Sequence, residues 1–223
     1  MNLLLIGYGK MNRLVEELAR EQGHGIAGII RRPADWAAVP PGSAVGIDFS
    51  VPAAVMDNLA AAFKARIPLV IGTTGWLEHL PAVRAQVAAA EAGVVYGANF
   101  SLGVQVFYQA VNAAARALPA EYQAYIIEHH HRHKLDAPSG TARELARRLA
   151  DAGRPQPPVA SVRAGAQPGE HTVGFDAEAD SLIFTHRARS RRGFAQGALH
   201  AAQWIEHRRG LHEFSEIFAA AEG

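Results

Sequence analysis

Strand-like apolar runs alternate with helical patterns through the first hundred residues, and this alternation restricts the possible fold more than any other feature. The first run, Leu3-Leu4-Leu5-Ile6, is short and continuous, as expected of a parallel strand buried on both faces. Further strand patterns follow at 25–30, 45–50, 68–71 and 93–98, with helical spacing between them. Repeated strand–helix units predict an α/β fold, a parallel sheet with helices on both faces.

A glycine-containing turn joins the first strand to the first helix. Gly7 and Gly9 allow a tight turn and the close approach of backbone N–H groups to a pyrophosphate at a helix start. Asn12 stands where the dinucleotide fingerprint has its third glycine, so we expect a small shift of the helix. A tight turn without a ligand is the alternative. The candidate cofactor contacts here are Gly7, Tyr8, Gly9, Lys10, Met11 and Asn12.

The ends of the next strands suggest the rest of a cofactor site. Arg31 and Arg32 follow the second strand, where an acidic residue would bind the adenosine ribose; they could pair with a 2′-phosphate, or be two solvated loop charges. This favours NADPH, with NADH possible. Ligands of open α/β sheets bind at the carboxyl ends of the strands. The candidate floor for ribose and nicotinamide consists of Phe49, Gly72, Thr73, Thr74, Gly97, Ala98, Asn99 and Phe100.

The second half of the chain has a different pattern. A helix is predicted over 102–118, and strands at 121–131, 160–163, 170–175 and 181–188 suggest a mostly antiparallel sheet. Helical spacing returns at 194–207 and 213–221. We therefore predict a Rossmann-type dinucleotide-binding domain over 1–101, completed by helices at about 193–223. Residues 102–192 would form an α+β domain for substrate binding and oligomerisation.

Four of the eleven histidines lie within the five positions 129–133, directly before Lys134. Alternate histidines of this segment could ligate zinc, but a third ligand would have to come from His171 or His186. Surface or structural histidines are a second interpretation. Acid–base chemistry is the third and preferred one, and it expects no metal, because His130 points opposite to its neighbours and imidazole titrates near neutral pH.

The residues after the histidines predict an anion site. Lys134 supplies a fixed positive charge. Ser139, Gly140 and Thr141 precede a helix marked by Ala142 and its apolar repeats, and a helix start offers N–H groups to a carboxylate. A dicarboxylate held there and at Lys134 would lie beside His130.

Composition narrows the remaining function classes. A formal net charge of +1 gives no reason to propose nucleic acid or an anionic membrane as partner. With no cysteine, thiolate nucleophiles and Cys-ligated zinc are excluded. The amino-terminal apolar run lacks a basic flank and ends at Gly7, so we expect neither a signal peptide nor a membrane span, and a cytoplasmic protein.

The segment 128–142, Glu-His-His-His-Arg-His-Lys-Leu-Asp-Ala-Pro-Ser-Gly-Thr-Ala, resembles the characteristic motif of the 4-hydroxy-tetrahydrodipicolinate (dihydrodipicolinate) reductase family of lysine biosynthesis. The resemblance extends in order along nearly the whole chain. It includes the Gly-x-Gly turn, Ile47-Asp48-Phe49, Gly72-Thr73-Thr74-Gly75, Ala98-Asn99-Phe100-Ser101, Gly169-Glu170-His171-Thr172 and Phe194-Ala195-x-Gly197.

The resemblance implies roles by position. His130 would be the proton donor and Lys134 its partner, with His131, Gly140 and Thr141 on the substrate carboxylates. Arg191 would be a further basic contact, and the assembly a homotetramer built through the substrate-domain sheet. Arg31, where the family often has an acidic residue, argues against strong NADH use. The competing functions are reduction of another cyclic imine or oxo dicarboxylate, a non-catalytic NADPH sensor and, more remotely, a metal-dependent hydrolase.

Overall fold

The structure, a computed structural model, describes residues 1–219. The chain forms two compact units: the first comprises Met1–Ser101 and the segment from Arg192 onwards, and the second comprises Leu102–Arg191. In chain order the strands and helices are β1 (Asn2–Ile6), α1 (Lys10–Glu21), β2 (Gly25–Ile30), β3 (Val45–Asp48), α2 (Val55–Lys64), β4 (Leu69–Ile71), α3 (Leu80–Ala89), β5 (Gly93–Tyr96), α4 (Leu102–Ala117), β6 (Gln123–His130), α5 (Gly140–Asp151), β7 (Val159–Arg163), β8 (Gly169–Asp176), β9 (Ser181–Ala188), α6 (Arg192–Ile205), β10 (Gly210–Glu213) and α7 (Phe214–Ala219).

The first unit is built on a six-stranded sheet in the order β10-β5-β4-β3-β1-β2, and every pair in it is parallel. This confirms the predicted Rossmann-type fold. Strand order reverses at β1, which lies between β2 and β3, and such a reversal opens a crevice at the carboxyl ends of the strands. The short edge strand β10 was not predicted, because Gly-Leu-His-Glu has neither an apolar run nor a clear alternation.

Apolar side chains fill both faces of this sheet, as expected for parallel strands. Leu4 and Ile6 pack in one buried cluster with Val55 and Leu59 of α2 and with residues of α3. On the other face, α6 contacts β3, β4 and β5 and packs beside α1. Helices on both faces therefore hold the carboxyl ends of the strands in a fixed arrangement.

The second unit contains a four-stranded sheet in the order β7-β6-β8-β9. The pairs β6–β8 and β8–β9 are antiparallel and β6–β7 is parallel, so the predicted mostly antiparallel sheet is confirmed. Residues of α4 and α5 pack with Ile126 and Val173 on one face of the sheet. Because side chains alternate along a strand, Ile127 and its neighbours lie on the opposite face, which no helix of the unit covers.

Helix α7 ends the described part of the chain at Ala219. The helix predicted over 213–221 begins one residue later than expected, and its positions 220 and 221 lie outside the described residues. No helix within residues 1–219 is long and apolar enough to cross a membrane.

Candidate active site

The turn between β1 and α1 requires both of its glycines, for different reasons. Gly7 has a φ of 75°, and a Cβ there would come within 2.7 Å of Ser50 Cα, so only glycine fits. Gly9 is the N-cap of α1 and has open space around the position of a Cβ. The turn therefore leaves room for a ligand beside the backbone at the start of a 12-residue helix.

Asn12 takes a structural role in place of the third glycine. It is fully buried, and its Nδ2 donates to the carbonyl oxygens of Ile6 (2.8 Å), Gly7 (2.7 Å) and Ile47 (3.2 Å). The amide thus links α1 to the carboxyl ends of β1 and β3. The amide nitrogen of Asn12 therefore contacts protein backbone and not the predicted pyrophosphate. These hydrogen bonds position the start of α1.

A buried polar network fixes the loops after β3 and β4. Asp48 has no exposed surface and accepts from Ser50 N (2.8 Å), Asn58 Nδ2 (3.0 Å) and Thr73 Oγ1 (2.9 Å). The predicted contact residue Thr73 therefore has its hydroxyl turned inwards. Sequence reasoning noted Asp48 only as part of a motif, although a lone acid closing an apolar strand is itself a signal.

Aromatic rings support the other strand ends. A Cβ on Gly72 would come within 2.1 Å of the Phe49 ring, so the loop after β4 can cross that ring only as glycine. Phe49 meets Phe100 at 6.3 Å between ring centroids, and Phe100 meets Phe214 at 4.6 Å. Phe100 is buried, and Thr74 and Ala98 are exposed. Gly97 is also buried, whereas Asn99 is half-buried and its Oδ1 accepts from Ser101 N.

Cationic side chains gather beside Tyr8. The guanidinium carbons of Arg31 and Arg13 lie 4.9 Å and 5.2 Å from the centre of its ring. Arg32 is instead paired with Asp35 at 3.1 Å. The structure therefore brings Arg31 close to the glycine turn, together with Arg13, which sequence reasoning missed although it occupies the first turn and a half of α1. Lys10 is exposed and Met11 half-buried on that helix.

In the second unit, a row of polar side chains crosses three strands on the face that carries α5. Glu128 pairs with His171 on β8 and with Ser161 on β7, and His130 pairs with Arg163 on β7. Glu128 is completely buried, and His130 and His171 are 6% and 5% exposed. Only Glu128 and His130 could be placed on a common face from the sequence, because the register of β7 and β8 is a tertiary property.

Glu128 is the centre of this row. Its Oε1 accepts from Ser139 N (3.0 Å), Ser161 Oγ (2.6 Å) and Arg163 Nη2 (2.7 Å). Burial raises the pKa of Glu128, but these hydrogen bonds outweigh burial and lower it to about 2. Burial, aided by His130, lowers the pKa of His171 to about 4. Near neutral pH the row therefore holds a carboxylate beside a neutral His171.

The predicted anion site has the expected local structure. Ser139 is the N-cap of α5 and accepts from Ala142 N at 3.2 Å, while its Oγ lies 3.0 Å from His171 Nε2. Gly140 and Thr141 form the first turn of this 12-residue helix, the end that favours anions. Lys134 Nζ lies 2.6 Å from Asp136 Oδ1 in the connecting loop. Asp136 thus holds the lysine within the same segment as the helix start.

His131 and Arg191 are the remaining residues that the sequence predicted as ligand contacts. His131 N donates to Gln167 O at 2.8 Å and Arg132 N to Gly165 O at 3.2 Å, so the loop between β7 and β8, residues 164–168, is hydrogen-bonded to the histidine segment. Arg191 is exposed at the end of the second unit.

The histidine pairs first considered as zinc ligands do not form a three-ligand group among the described residues. His129 Nε2 contacts Ala164 O at 3.1 Å, and the rings of His131 and His133 are 6.4 Å apart. A different trio, Glu128, His130 and His171, has ligand atoms within 4.8 Å of one another. The Arg163 guanidinium bound to the same carboxylate opposes a cation there.

The chain combines a Rossmann-type unit with a separate mixed-sheet unit that carries the buried row of Glu128, His130 and His171. Together with the relatives named below, this defines the class of protein as an NAD(P)H-dependent oxidoreductase. Residues 1–100 match the family described as dihydrodipicolinate reductase, N-terminus, and residues 103–218 match dihydrodipicolinate reductase, C-terminus. The chain belongs to the dihydrodipicolinate reductase family.

Individual relatives agree with this assignment. The chain is 34% identical to a 4-hydroxy-tetrahydrodipicolinate reductase of Christiangramia forsetii over 98% of both chains. It is 40% identical to the enzyme of that name from Pseudomonas fluorescens, over 77% of this chain and 71% of the relative. The dipicolinate-bound dihydrodipicolinate reductase from Paenisporosarcina sp. TG-14 shares the fold, with a TM-score of 0.80 at 20% identity, covering 97% of this chain and 99% of the other.

Proposed function

We propose that this protein reduces 4-hydroxy-tetrahydrodipicolinate to tetrahydrodipicolinate in diaminopimelate and lysine biosynthesis. The observation that carries the proposal is the buried His130 in the family's histidine motif. Lys134 and the anion-favouring start of α5 at Gly140 follow it within the same segment of the chain. The first unit is the proposed dinucleotide-binding domain and the second the substrate and oligomerisation domain. The cytoplasm is the proposed location.

Groups of the second unit suit a cyclic dicarboxylate. The start of α5 at Gly140 and Thr141, with Ser139 as N-cap, would bind one carboxylate. Lys134 would bind the substrate anion and stabilise charge that develops during reduction, and His131 would assist as a further contact. His130 would deliver the proton to the adjacent carbon.

The first unit fits a nicotinamide dinucleotide. When bound, this cofactor supplies the hydride. The open backbone at Gly9 and the first turn of α1 would hold the pyrophosphate, because no side chain occupies that space. Exposed residues of the loops after β3, β4 and β5 would line the ribose and nicotinamide positions, with Phe49 and Phe100 as their support.

We propose NADPH as the preferred cofactor, with NADH used less well. The support is the pair of guanidinium groups of Arg31 and Arg13 beside the Tyr8 ring, since guanidinium recognises phosphate strongly. Arg32 contributes less because Asp35 already engages it. We expect a higher kcat/KM with NADPH than with NADH, and steady-state assays with both cofactors measure this. Equal values, or a preference for NADH, would contradict the proposal.

A homotetramer is proposed as the assembly. The uncovered face of the second unit's sheet exposes Ile127 (43%), Val162 (44%) and Ile183 (61%), one from each of three strands. An apolar sheet face of this kind is typical of an interface, and identical faces pair naturally in closed symmetric oligomers.

The direct test is oxidation of NADPH on freshly generated 4-hydroxy-tetrahydrodipicolinate, for the wild type and for His130→Gln. We expect the wild-type enzyme to turn over this substrate. In the variant we expect kcat to fall by about 10²–10⁴-fold and KM to change less, because proton delivery acts in the transition state. Wild-type kcat in the variant, measured where chemistry limits turnover, would disprove the role of His130. Absence of turnover in the wild type would disprove the substrate.

A further inference from the structure

The carboxylate of Glu128 has two oxygens in different situations. Oε1 accepts three hydrogen bonds, from Ser139, Ser161 and Arg163. Oε2 is buried and has no hydrogen-bond partner within residues 1–219, and the same is true of His130 Nδ1. These two atoms lie 3.3 Å apart. Two buried polar atoms left unpaired and facing one another require an explanation, because desolvation without a partner is costly.

The pair is within reach of an N–H···O bond but is not aligned for one. Such bonds are often loose without substrate and tighten in the complex. The other ring nitrogen of His130, Nε2, points towards Gly169, where a Cβ would lie 2.9 Å from it. The imidazole therefore has one edge against a buried carboxylate and the other over a position kept clear by glycine.

The charged and titratable groups around His130 act in opposite directions. Burial lowers the pKa of His130, the Glu128 carboxylate opposes that shift, and the charges of Lys134 and Arg163 reinforce it. Asp136 also raises the pKa, more weakly. His171 lies on β8 with its ring centroid 5.0 Å from that of His130. Glu128 is therefore the strongest nearby group that keeps His130 able to hold a proton.

We propose that Glu128 is a positioning residue for His130. Its Oε2 holds the imidazole with Nδ1–H towards the carboxylate, so that Nε2 is the atom that gives the proton to substrate. Ser139, Ser161 and Arg163 fix the carboxylate through Oε1, and His171 closes the site from β8 as a neutral neighbour. This inference rests on the proposed role of His130 as proton donor. Glu128 has no exposed surface and so acts through His130.

The first experiment is ¹H–¹⁵N NMR of the histidine rings in the full-length protein, with His130 assigned from the His130→Gln spectrum. In the wild type we expect neutral His130 to carry its proton on Nδ1. In Glu128→Gln, whose amide oxygen can still accept from the three donors, we expect the His130 pKa to fall by about 1–3 units. Glu144→Gln is the control, since it removes a carboxylate paired with arginines on α5, and it should leave that pKa unchanged.

The second experiment is the pH profile of kcat/KM for the same variants. Because His130 must be protonated to act as an acid, activity falls as pH rises through its pKa. The alkaline limb should therefore move to lower pH in Glu128→Gln, by the amount seen in NMR, and stay in place in Glu144→Gln. A structural role alone would lower activity at every pH without moving the limb.

Three results would overturn the proposal. They are an unchanged His130 pKa in folded Glu128→Gln, a wild-type tautomer with the proton on Nε2, and a stoichiometric zinc ion bound at Nδ1 in protein purified without chelator. The tautomer is read in the wild type, so it decides the question even if the variant does not fold. Failure of the proposed function would appear separately, as wild-type kcat in His130→Gln, because the NMR results do not depend on activity.

Discussion

Gly169 lies under the ring of His130, at the start of β8. A Cβ at this position would come within 2.9 Å of His130 Nε2 and 3.1 Å of Cδ2, closer than such contacts normally are. We predict that Gly169→Ala displaces the imidazole and lowers kcat at least about tenfold, since a misplacement of about 1 Å can cost 10²-fold. Steady-state kinetics measure the loss, and thermal unfolding checks that the variant is folded.

Gly193→Ala is the matched control, because a Cβ there meets only Ser101 Oγ, at 3.8 Å. It should retain close to wild-type kcat. Equal kcat in both glycine variants would mean that the ring of His130 does not need its present position over β8.

Helix α4 ends without a glycine cap and depends on an arginine that follows α5. Arg154 is 8% exposed, and it donates to the carbonyl oxygens of Ala115 (2.8 Å), Pro119 (2.9 Å) and Leu118. The last carbonyl groups of a helix lack intrahelical donors, so this guanidinium replaces a local cap with a tertiary one. We predict that Arg154→Met lowers the free energy of unfolding by about 3 kcal/mol, because several buried carbonyl groups lose their partner.

Denaturant unfolding at a fixed protein concentration measures this effect. Arg147→Met is the control, since Arg147 is exposed and forms surface pairs with Glu144 and Asp151. Arg147→Met should lower the free energy of unfolding by less than about 1 kcal/mol. A similar small loss in Arg154→Met would show that solvent satisfies the end of α4 without the arginine.

The proposed tetramer makes a prediction about the whole molecule. Ile183 is the most exposed of the three large apolar residues on the uncovered sheet face. Burying a carboxylate at an apolar interface is costly unless it finds a partner. We therefore predict that Ile183→Glu forms smaller species than the wild type at micromolar concentration, as measured by size-exclusion chromatography with light scattering.

Leu77→Glu serves as the comparison, because Leu77 is 50% exposed on a short 3-10 helix of the first unit. It should leave the assembly unchanged. A monomeric wild type, or an Ile183→Glu variant with the wild-type mass, would contradict the proposed interface.

Local pattern alone determined much of this protein. The strand–helix alternation predicted a parallel sheet, and β2 and β9 have the bounds expected from the sequence. Apolar periodicity and glycine or proline at the element ends are local properties, so they can be read without knowing the fold. The histidine segment and the helix start at Ser139 were visible for the same reason.

The tertiary structure decided which distant residues meet. Arg154 caps a helix that ended 37 positions earlier in the chain, and Arg163 and His171 join Glu128 only through the register of β7, β6 and β8. A shift of one residue in that register would turn Arg163 and His171 to the other face of the sheet. The sequence supplied the histidine that can carry a proton. The sequence also placed Glu128 on the same face of β6 as that histidine. Cross-strand pairing decided which groups surround the carboxylate, because Ser161, Arg163 and His171 come from two other strands.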